Sequence, residues 1–309
     1  MHDLKSILQS SSMETLLKTG ELDFNVLTGS ISTVMSADPR ISEKYASMLG
    51  KRVENEIFYR KFGDNLRSVL VPAPTSVLDV ARDISVSSSF YLFASEVGKA
   101  EAELALLAEA SGISGIVVSQ DPDMFRKMFN SMKISKMLSD FKEFDLKQES
   151  NGVTFIDRIF NVKGVGTVML GFSGTEIRVH DRLKALPSNA EIEVKSIQVL
   201  DEDQLSVGPG VRVGLAIRNA GLNELSGTYG LVYPDLPLTD ELVFYEKFKW
   251  APEARELHAI CCGMKVMGDV DQDKIKLRGK LPAVKKRVIL INPSVKPGSL
   301  QVYGYEAGN

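Results

Sequence analysis

Short segments rich in β-branched residues follow one another from Phe155 to Gly214, and they constrain the fold of this chain more than any other feature. Gly, Asn, Asp and Pro separate them at intervals of about eight to twelve residues, which is typical of an antiparallel β-barrel. Gly164 and Gly166 stand where a tight turn requires positive φ or a close backbone approach. We therefore expect a barrel over residues 151–234.

The residues before this barrel predict an α/β domain. Between residues 21 and 150, candidate strands alternate with candidate helices, and Phe24–Leu27 is the first expected strand. Val97–Ala110 is rich in Ala, Leu and Glu and is followed by Gly112, a pattern typical of a helix and its end. The alternation indicates a mostly parallel sheet. Within it, Gly63-Asp64-Asn65 predicts one antiparallel hairpin.

The two ends of the chain predict further elements. Residues 1–20 contain amphipathic segments and predict an N-terminal helical arm. Residues 235–309 have an all-β pattern in which Leu242–Trp250 and Leu257–Met267 are expected to be strands, and a second barrel is the simplest packing for such a pattern. A chain of 309 residues is consistent with two or three domains.

Composition and charge exclude several classes of protein. The net charge of −3 does not mark a general nucleic-acid binder, so any contact with RNA must come from a local patch. The two cysteines, Cys261 and Cys262, are adjacent, and neighbours on a strand point to opposite faces, so neither a disulfide framework nor a zinc site is expected. The N-terminus lacks the pattern of a signal peptide and no apolar stretch reaches membrane-spanning length; we expect a cytoplasmic protein without a membrane partner.

The central pattern also resembles a known module. Its residues include Ile156-Asp157-Arg158-Ile159-Phe160, Lys163-Gly164-Val165-Gly166-Thr167-Val168, Leu170-Gly171-Phe172 and Gly208-Pro209-Gly210-Val211-Arg212-Val213-Gly214. They resemble the second domain of translational GTPases, which holds the aminoacyl end of tRNA in elongation factor Tu, and are most similar to the selenocysteine-specific factor SelB and its paralogues. The resemblance implies an α/β GTPase-like domain followed by two β-barrels, similar to domains 2 and 3 of elongation factor Tu.

The phosphate-binding motif of such a GTPase is missing. G-x-x-x-x-G-K-[ST] should follow the first strand, where backbone amides and the Lys hold phosphates and the hydroxyl holds Mg²⁺. After the expected strand Phe24–Leu27, Gly29 is followed by neither a second Gly nor a Lys. Gly50-Lys51 and Gly98-Lys99 lack the leading Gly and the following Ser or Thr.

Two other GTPase motifs are also absent from their expected places. The metal-binding D-x-x-G is replaced by Pro72-Ala73-Pro74-Thr75, and the guanine-binding N-K-x-D is replaced by Gln120-Asp121-Pro122-Asp123. Asp123 is most simply an acid in the first turn of a helix. The three losses predict a degenerate GTPase-like domain without bound GTP or Mg²⁺ and without catalytic or metal-binding residues. None of the three histidines belongs to a recognisable nucleophile pattern.

The resemblance implies a pocket in the second domain. In SelB-type factors an Asp-Arg pair and an Arg of a later strand line the aminoacyl pocket, and the matching positions hold Asp157, Arg158 and Arg212. Two guanidinium groups and one carboxylate can recognise a polar or anionic group. The alternative is an ordinary ion pair at a barrel rim. Leu200 stands where SelB relatives often carry a His, so the match is incomplete.

A cationic run in the third region predicts a contact with RNA. Residues 274–287 contain no acid, and alternate residues of a strand share one face. The cations are Lys274, Lys276, Arg278, Lys280, Lys285, Lys286 and Arg287. Such a ribbon can follow a phosphate backbone. The alternative is a solvated strand face that protects a sheet edge from aggregation.

Three functional hypotheses follow from these patterns. The first is a translation elongation factor-like protein that binds tRNA or another RNA of the translation apparatus without GTP hydrolysis. The second is an atypical GTP-binding factor, and the third is a non-catalytic scaffold that docks on a translation-factor partner. SelB carries a further C-terminal domain beyond the second barrel, and since this chain ends at Asn309 we do not expect recoding by that route.

Overall fold

A computed structural model describes residues 26–54, 56–96 and 98–307 of the chain. These residues form an α/β domain followed by a closed β-barrel and a half-barrel, in the order that the sequence and its resemblance predicted. The expected N-terminal helical arm, residues 1–20, lies outside the described residues.

The first domain has one mixed sheet with the strand order β2-β3-β4-β1-β5-β6. β1 runs parallel to β4 and β5, and β5 runs parallel to β6. The predicted hairpin is confirmed, because β3 pairs antiparallel with β4 around Gly63 and Asp64. The strands are β1 (Thr28–Ser36), β2 (Lys51–Glu54), β3 (Ile57–Phe62), β4 (Asn65–Leu70), β5 (Ser89–Ala94) and β6 (Ser114–Ser119).

The helices of this domain begin and end at residues that favour such ends. Ser76 and Asp121 accept hydrogen bonds from backbone N–H groups of the first turns that follow them, and Gly112 ends a helix with φ of 69°. The helices are α1 (Pro39–Leu49), α2 (Val77–Val86), α3 (Lys99–Ser111) and α4 (Pro122–Met128), followed by a 3₁₀ helix at Lys133–Met137.

The position of the first strand differs from the prediction. Phe24 and Asn25 of the expected strand Phe24–Leu27 lie outside the described residues, whereas β1 runs from Thr28 to Ser36, so Gly29 lies inside a strand and not after one. The centre of β1 was hidden because it contains small hydroxyl residues. They are buried, and their polarity is satisfied by neighbours: Ser32 Oγ lies 2.7 Å from Ser89 Oγ, and Thr33 Oγ1 lies 2.7 Å from Ser87 Oγ.

The second domain is a closed antiparallel barrel. Six strands follow the order β10-β15-β7-β8-β14-β11, and pairing of β10 with β11 closes the ring. The strands are β7 (Val153–Val162), β8 (Gly166–Phe172), β10 (Arg182–Leu186), β11 (Glu191–Val199), β14 (Arg212–Arg218) and β15 (Gly230–Val232). Short strands at its margins are β9 (Ile177–Arg178), β12 (Glu202–Gln204) and β13 (Ser206–Val207).

The third domain is a curved antiparallel sheet with the order β16-β20-β19-β18-β21-β22-β17. Its two edge strands follow each other in the chain, so the backbone joins the two edges at Phe244, which has φ of 58°. The expected single strand Leu242–Trp250 is therefore interrupted. The strands are β16 (Leu238–Val243), β17 (Tyr245–Lys247), β18 (Glu256–Cys261), β19 (Met264–Asp271), β20 (Lys274–Pro282), β21 (Val288–Ile291) and β22 (Val302–Glu306).

The expected strand Leu257–Met267 is also wrong, because it is a hairpin. Cys261 pairs with Met264, and the turn between them contains Cys262 with φ of 50° and Gly263 with φ of 79°. Two successive residues with positive φ form the tight turn that joins antiparallel strands. An apolar sequence around Cys262 concealed this turn. The two thiols are free and buried.

The first and third domains share one hydrophobic core. Helices α2 and α3 pack on β18, β21 and β22, and buried residues such as Leu107 of α3 and Leu290 of β21 belong to a single cluster. The second domain has a largely separate core, in which Leu215 is fully buried and to which Leu27 and Leu66 of the first domain also belong. We therefore expect the first and third domains to unfold together.

Asp83 of α2 lies beside this shared core and gives a pH-dependent prediction. Its side chain is 9% exposed, and burial raises the pKa of Asp83 to about 7, although Arg82 lies 3.3 Å away and opposes the shift. An unfolded chain has an Asp pKa of about 3.9, so the native state binds the proton more tightly. The resulting stability is present below about pH 4 and is lost as the pH rises to about 7.

Replacing Asp83 by Asn is therefore expected to increase the free energy of unfolding at pH 8 by about 2 kcal/mol. This is about half of the free energy that a shift of three pKa units represents. At pH 4 the same replacement is expected to change the free energy of unfolding little. Urea unfolding at both pH values measures this. Asp79→Asn is the matched control, because Asp79 is 48% exposed on the same helix and also pairs with Arg82. An unchanged or lower stability of the Asp83→Asn protein at pH 8 contradicts the prediction.

Within the described ranges, no helix combines the length and the apolar character that a membrane crossing requires. The same residues contain no group of three or more His, Cys, Asp or Glu side chains that could hold a metal ion.

Candidate functional site

The segment between β1 and α1 occupies the place where an α/β domain of this kind would bind phosphate. β1 ends at Ser36 and α1 begins at Pro39, so only Ala37 and Asp38 separate them. The Asp38 carboxylate accepts a hydrogen bond from the Arg40 backbone N–H at 3.0 Å and pairs with the Arg40 side chain. A hydrogen bond from that side chain lowers the pKa of Asp38.

This arrangement does not suit a phosphate. A phosphate at a helix N-terminus needs free N–H groups and a favourable charge, but the carboxylate of Asp38 already lies at this end of α1. The segment from Ser36 to Arg40 has no Gly and no Lys, so the phosphate motif is missing from its true place as well. The sequence had located this place incorrectly, inside β1.

The other two motif positions lie at the starts of helices. Pro72-Ala73-Pro74-Thr75 lies between β4 and Ser76, the residue that caps α2. Asp121 caps α4, and Asp123 lies in the first turn of α4, where its carboxylate is 3.1 Å from Arg126. Asp123 is 95% exposed, as expected of a first-turn helix acid.

The three residues of the expected pocket come together. The β7–β8 register shifts between Ile156 and Arg158, so Asp157 occupies a β-bulge, which changes the direction of its side chain. Arg212 begins β14, is 7% exposed and donates a short hydrogen bond from Nη1 to Asp157 Oδ2. Its guanidinium lies 4.9 Å from the centroid of the Phe172 ring.

A fourth charged residue comes from the first domain. Glu54, the last residue of β2, has Oε1 at 3.3 Å from Arg212 Nη2 and Oε2 at 3.4 Å from Arg158 Nη2. Sequence reasoning missed Glu54, because it lies 104 positions before Arg158 in another domain and carries no motif. The four side chains consist of two guanidinium groups and two carboxylates. We name them the Arg212 cluster: Glu54, Asp157, Arg158 and Arg212.

The Tyr59 hydroxyl lies against this cluster. Tyr59 is 8% exposed, and its hydroxyl has no hydrogen-bond partner among the described residues. Burial raises the pKa of Tyr59, and the charge of Arg212 opposes this shift while Glu54 and Asp157 add to it. Burial by itself lowers the pKa of Arg212. The charge of Asp157 and its hydrogen bond outweigh burial, so the pKa of Arg212 is raised. Each of the four charged side chains of the cluster thus lies beside a partner of opposite charge.

A cavity of about 300 Å³ opens beside the cluster, where the three domains meet. Asp157 lines it from the second domain together with Thr228 and Tyr229, Arg82 lines it from the first, and Lys265 lines it from the third. Leu200, in contrast, is exposed in the turn that follows β11. Asp157 is the member of the Arg212 cluster that lines this cavity, so the cavity adjoins the cluster through that carboxylate.

The cations of the third domain do not form one exposed ribbon. Lys274, Lys276, Arg278 and Lys280 share the exposed face of β20, as the alternation predicted. Acids of neighbouring strands approach them: Lys274 pairs with Glu241 at 2.8 Å, and Arg278 pairs with Asp269 and Glu256. These cross-strand acids could not be read from the acid-free run 274–287.

The last cations of the run have different surroundings. Lys285 is exposed. Lys286 Nζ donates to the backbone oxygens of Ser85 and Ser87, and Arg287 donates to that of Glu109 and lies 4.0 Å from the Tyr305 ring centroid. Lys286 and Arg287 therefore join the third domain to the first.

Comparison with known proteins gives relatives and a fold. No protein-family model matches the chain. An uncharacterised protein of Methanocaldococcus jannaschii is 28% identical over 258 residues, covering 74% of this chain and 83% of that protein. The selenocysteine-specific elongation factor of the same organism is 41% identical over 76 residues, which cover 24% of this chain but only 16% of that factor.

Among solved structures, the apo form of the translation elongation factor SelB from Methanococcus maripaludis is similar over the whole architecture. Its TM-score is 0.68 at 16% sequence identity, with 92% of this chain and 80% of that chain covered. The chain therefore has the fold of the SelB translation elongation factors, and it is similar in sequence to a selenocysteine-specific elongation factor over a segment of 76 residues.

Proposed function

We propose that this translation elongation factor-like protein binds tRNA, or another RNA of the translation apparatus, in the cytoplasm and without GTP hydrolysis. One observation carries the proposal. The residues that resemble the SelB aminoacyl pocket lie together in the Arg212 cluster, whereas the segment at the phosphate position is closed by Asp38. This grouping, in a chain without the phosphate motif, supports RNA binding without GTP hydrolysis.

Asp157, Arg158 and Arg212 are the residues we assign to the end of the RNA. A guanidinium fork binds carboxylates and phosphates through paired charge-assisted hydrogen bonds. The adjoining cavity of about 300 Å³ has room for a small group attached to that end. The rest of the RNA would lie along the barrels.

The exposed cations of β20 are the residues we assign to the RNA backbone, together with Lys285. Their acid neighbours reduce the local positive potential, so we expect a modest contribution from this strand. Lys286 and Arg287 belong to the interface between domains, and we leave them out of the RNA surface.

Filter binding of aminoacyl-tRNA and of deacylated tRNA over a salt series tests this function. We expect binding at low salt that weakens as salt rises, and a smaller salt slope when Lys274, Lys276, Arg278 and Lys280 are all replaced by Gln. The control replaces Arg126 and Lys127, exposed on α4, by Gln. Absence of RNA binding at low salt contradicts the proposal. An unchanged salt slope in the variant with four Gln replacements shows that β20 does not contact the RNA.

Two competing functions have their own tests. If the chain is an atypical GTP-binding factor, calorimetry with GTP and Mg²⁺ must give binding heat, and we expect none because Asp38 lies at the N-terminus of α1. If the chain is a scaffold, a translation-factor partner must be captured from nuclease-treated lysate in the absence of RNA. Measurable GTP hydrolysis would contradict the loss of the nucleotide site.

A further inference from the structure

The arginine fork of the Arg212 cluster already holds an anion, and that anion is supplied by the chain itself. Both carboxylate oxygens of Glu54 face guanidinium nitrogens: Oε1 is 3.3 Å from Arg212 Nη2, and Oε2 is 3.4 Å from both Arg212 Nη2 and Arg158 Nη2. Glu54 belongs to the first domain, whereas both arginines belong to the second. A side chain from outside the barrel therefore occupies the position that a carboxylate of a ligand would take.

The strand that carries Glu54 is weakly held. β2 is an edge strand that pairs only with β3, and none of its side chains is buried. Besides a short ladder, it is held by the Arg52–Glu43 ion pair at 2.9 Å, by the Arg52 guanidinium 5.0 Å from the Phe58 ring centroid, and by the contacts of Glu54. Segments with few buried apolar contacts open locally at low free-energy cost. β2 can therefore move without disturbing the core of the domain.

The Tyr59 hydroxyl supplies a second, independent observation. It is more than nine-tenths buried against the cluster and has no hydrogen-bond partner among the described residues. A buried hydroxyl without a protein partner is costly, and such groups often mark a ligand site. Because the Tyr59 hydroxyl can donate, an added oxyanion would satisfy it together with the two arginines.

We propose that Glu54 is an internal competitor that covers an anion site formed by Arg158, Arg212 and the Tyr59 hydroxyl, and that β2 is the lid which carries it. The ligand is a carboxylate or comparable oxyanion on a small group that enters the adjoining cavity. It displaces Glu54 and leaves the Arg212–Asp157 pair in place. This inference rests on the proposed function, in which the group is attached to the end of an RNA.

The test removes the charge of the lid and keeps its shape. We compare the wild-type protein with Glu54→Gln, using isothermal titration with 3′-aspartylamino-3′-deoxyadenosine and its neutral asparaginyl isostere as probes. If the open site is only about one-tenth populated in the wild type, removing the competitor increases the apparent affinity for the aspartyl probe about tenfold. The affinity for the asparaginyl probe stays the same.

Two controls identify the site and the lid. Glu56→Gln makes the same charge change two residues away, on an exposed residue for which no contact with the arginines is present, and is expected to change neither affinity. Adding Arg212→Lys to Glu54→Gln is expected to abolish the gain, because Lys cannot form the fork. Amide exchange of residues 51–54 is expected to become faster in the Glu54→Gln protein and not in the Glu56→Gln protein.

The outcomes separate this inference from the proposed function. Equal or weaker binding of the aspartyl probe by Glu54→Gln, or an equal gain for the asparaginyl isostere, overturns the internal competitor whether or not RNA binds. A gain specific to the aspartyl probe supports it. If that gain occurs while no variant binds tRNA at low salt, the anion site stands and the RNA function is wrong.

Discussion

Replacing Arg212 by Leu is expected to lower the free energy of unfolding by about 3 kcal/mol, because it leaves two partly buried carboxylates without their common partner. Arg212 is 7% exposed, and its partners Asp157 and Glu54 are 25% and 32% exposed, so water screens this loss only in part. The lost stacking on Phe172 adds to the effect. Urea unfolding followed by far-UV circular dichroism measures the change.

The neighbouring arginine is the matched control for this prediction. Arg158 is 61% exposed and makes one contact with Glu54 at 3.4 Å, so Arg158→Gln is expected to change stability by less than about 0.5 kcal/mol. Arg212→Lys should be intermediate, since it keeps the charge but loses the paired geometry. Equal effects of Arg212→Leu and Arg158→Gln would show that burial does not distinguish the two ion pairs.

Leu107→Ala is expected to destabilise the first and third domains together, by about 3 kcal/mol. Leu107 is fully buried in α3, and its cluster extends from the first domain into β18, β21 and β22 of the third. Ala is a strong helix former, so the change tests packing and not helix propensity. Because the core is shared, both domains should unfold in a single transition, and that transition should move to lower urea concentration.

Trp250 makes this prediction measurable. It is the only tryptophan, it belongs to the third domain, and its ring centroid lies 6.4 Å from that of Phe129 in the first domain. In the Leu107→Ala protein, the unfolding midpoints followed by Trp250 fluorescence and by far-UV circular dichroism should shift to lower urea concentration by the same amount. Lys99→Ala, at an exposed position of the same helix, should shift neither signal. Two separated transitions would contradict a shared core.

A shared core also bears on how this chain can act. Movement of one domain against another needs an interface that can separate at small cost. Here α2 and α3 are buried against the third domain, and Lys286 and Arg287 hydrogen-bond across the same interface. The expected movement is therefore the local opening of β2, which buries no side chain.

Local signals in the sequence determined much of this fold. The hairpin at Gly63 and Asp64 and the helix starts at Ser76 and Asp121 follow from residue types that favour one backbone conformation regardless of distant neighbours. The exposed cationic face of β20 follows from alternation alone. The motif in the second domain singled out Asp157, Arg158 and Arg212, which lie together in the cluster.

Only the tertiary structure decided which groups meet. The first strand differs from the expected one because Ser32 and Thr33 are buried beside other hydroxyls. The expected strand Leu257–Met267 is a hairpin because Cys262, in its turn, has positive φ. The sequence could not identify Glu54 as the partner of Arg212, because the two are 158 positions apart and nothing in either segment encodes the other. Residue type fixes local conformation, but the pairing of charges depends on the packing of whole domains.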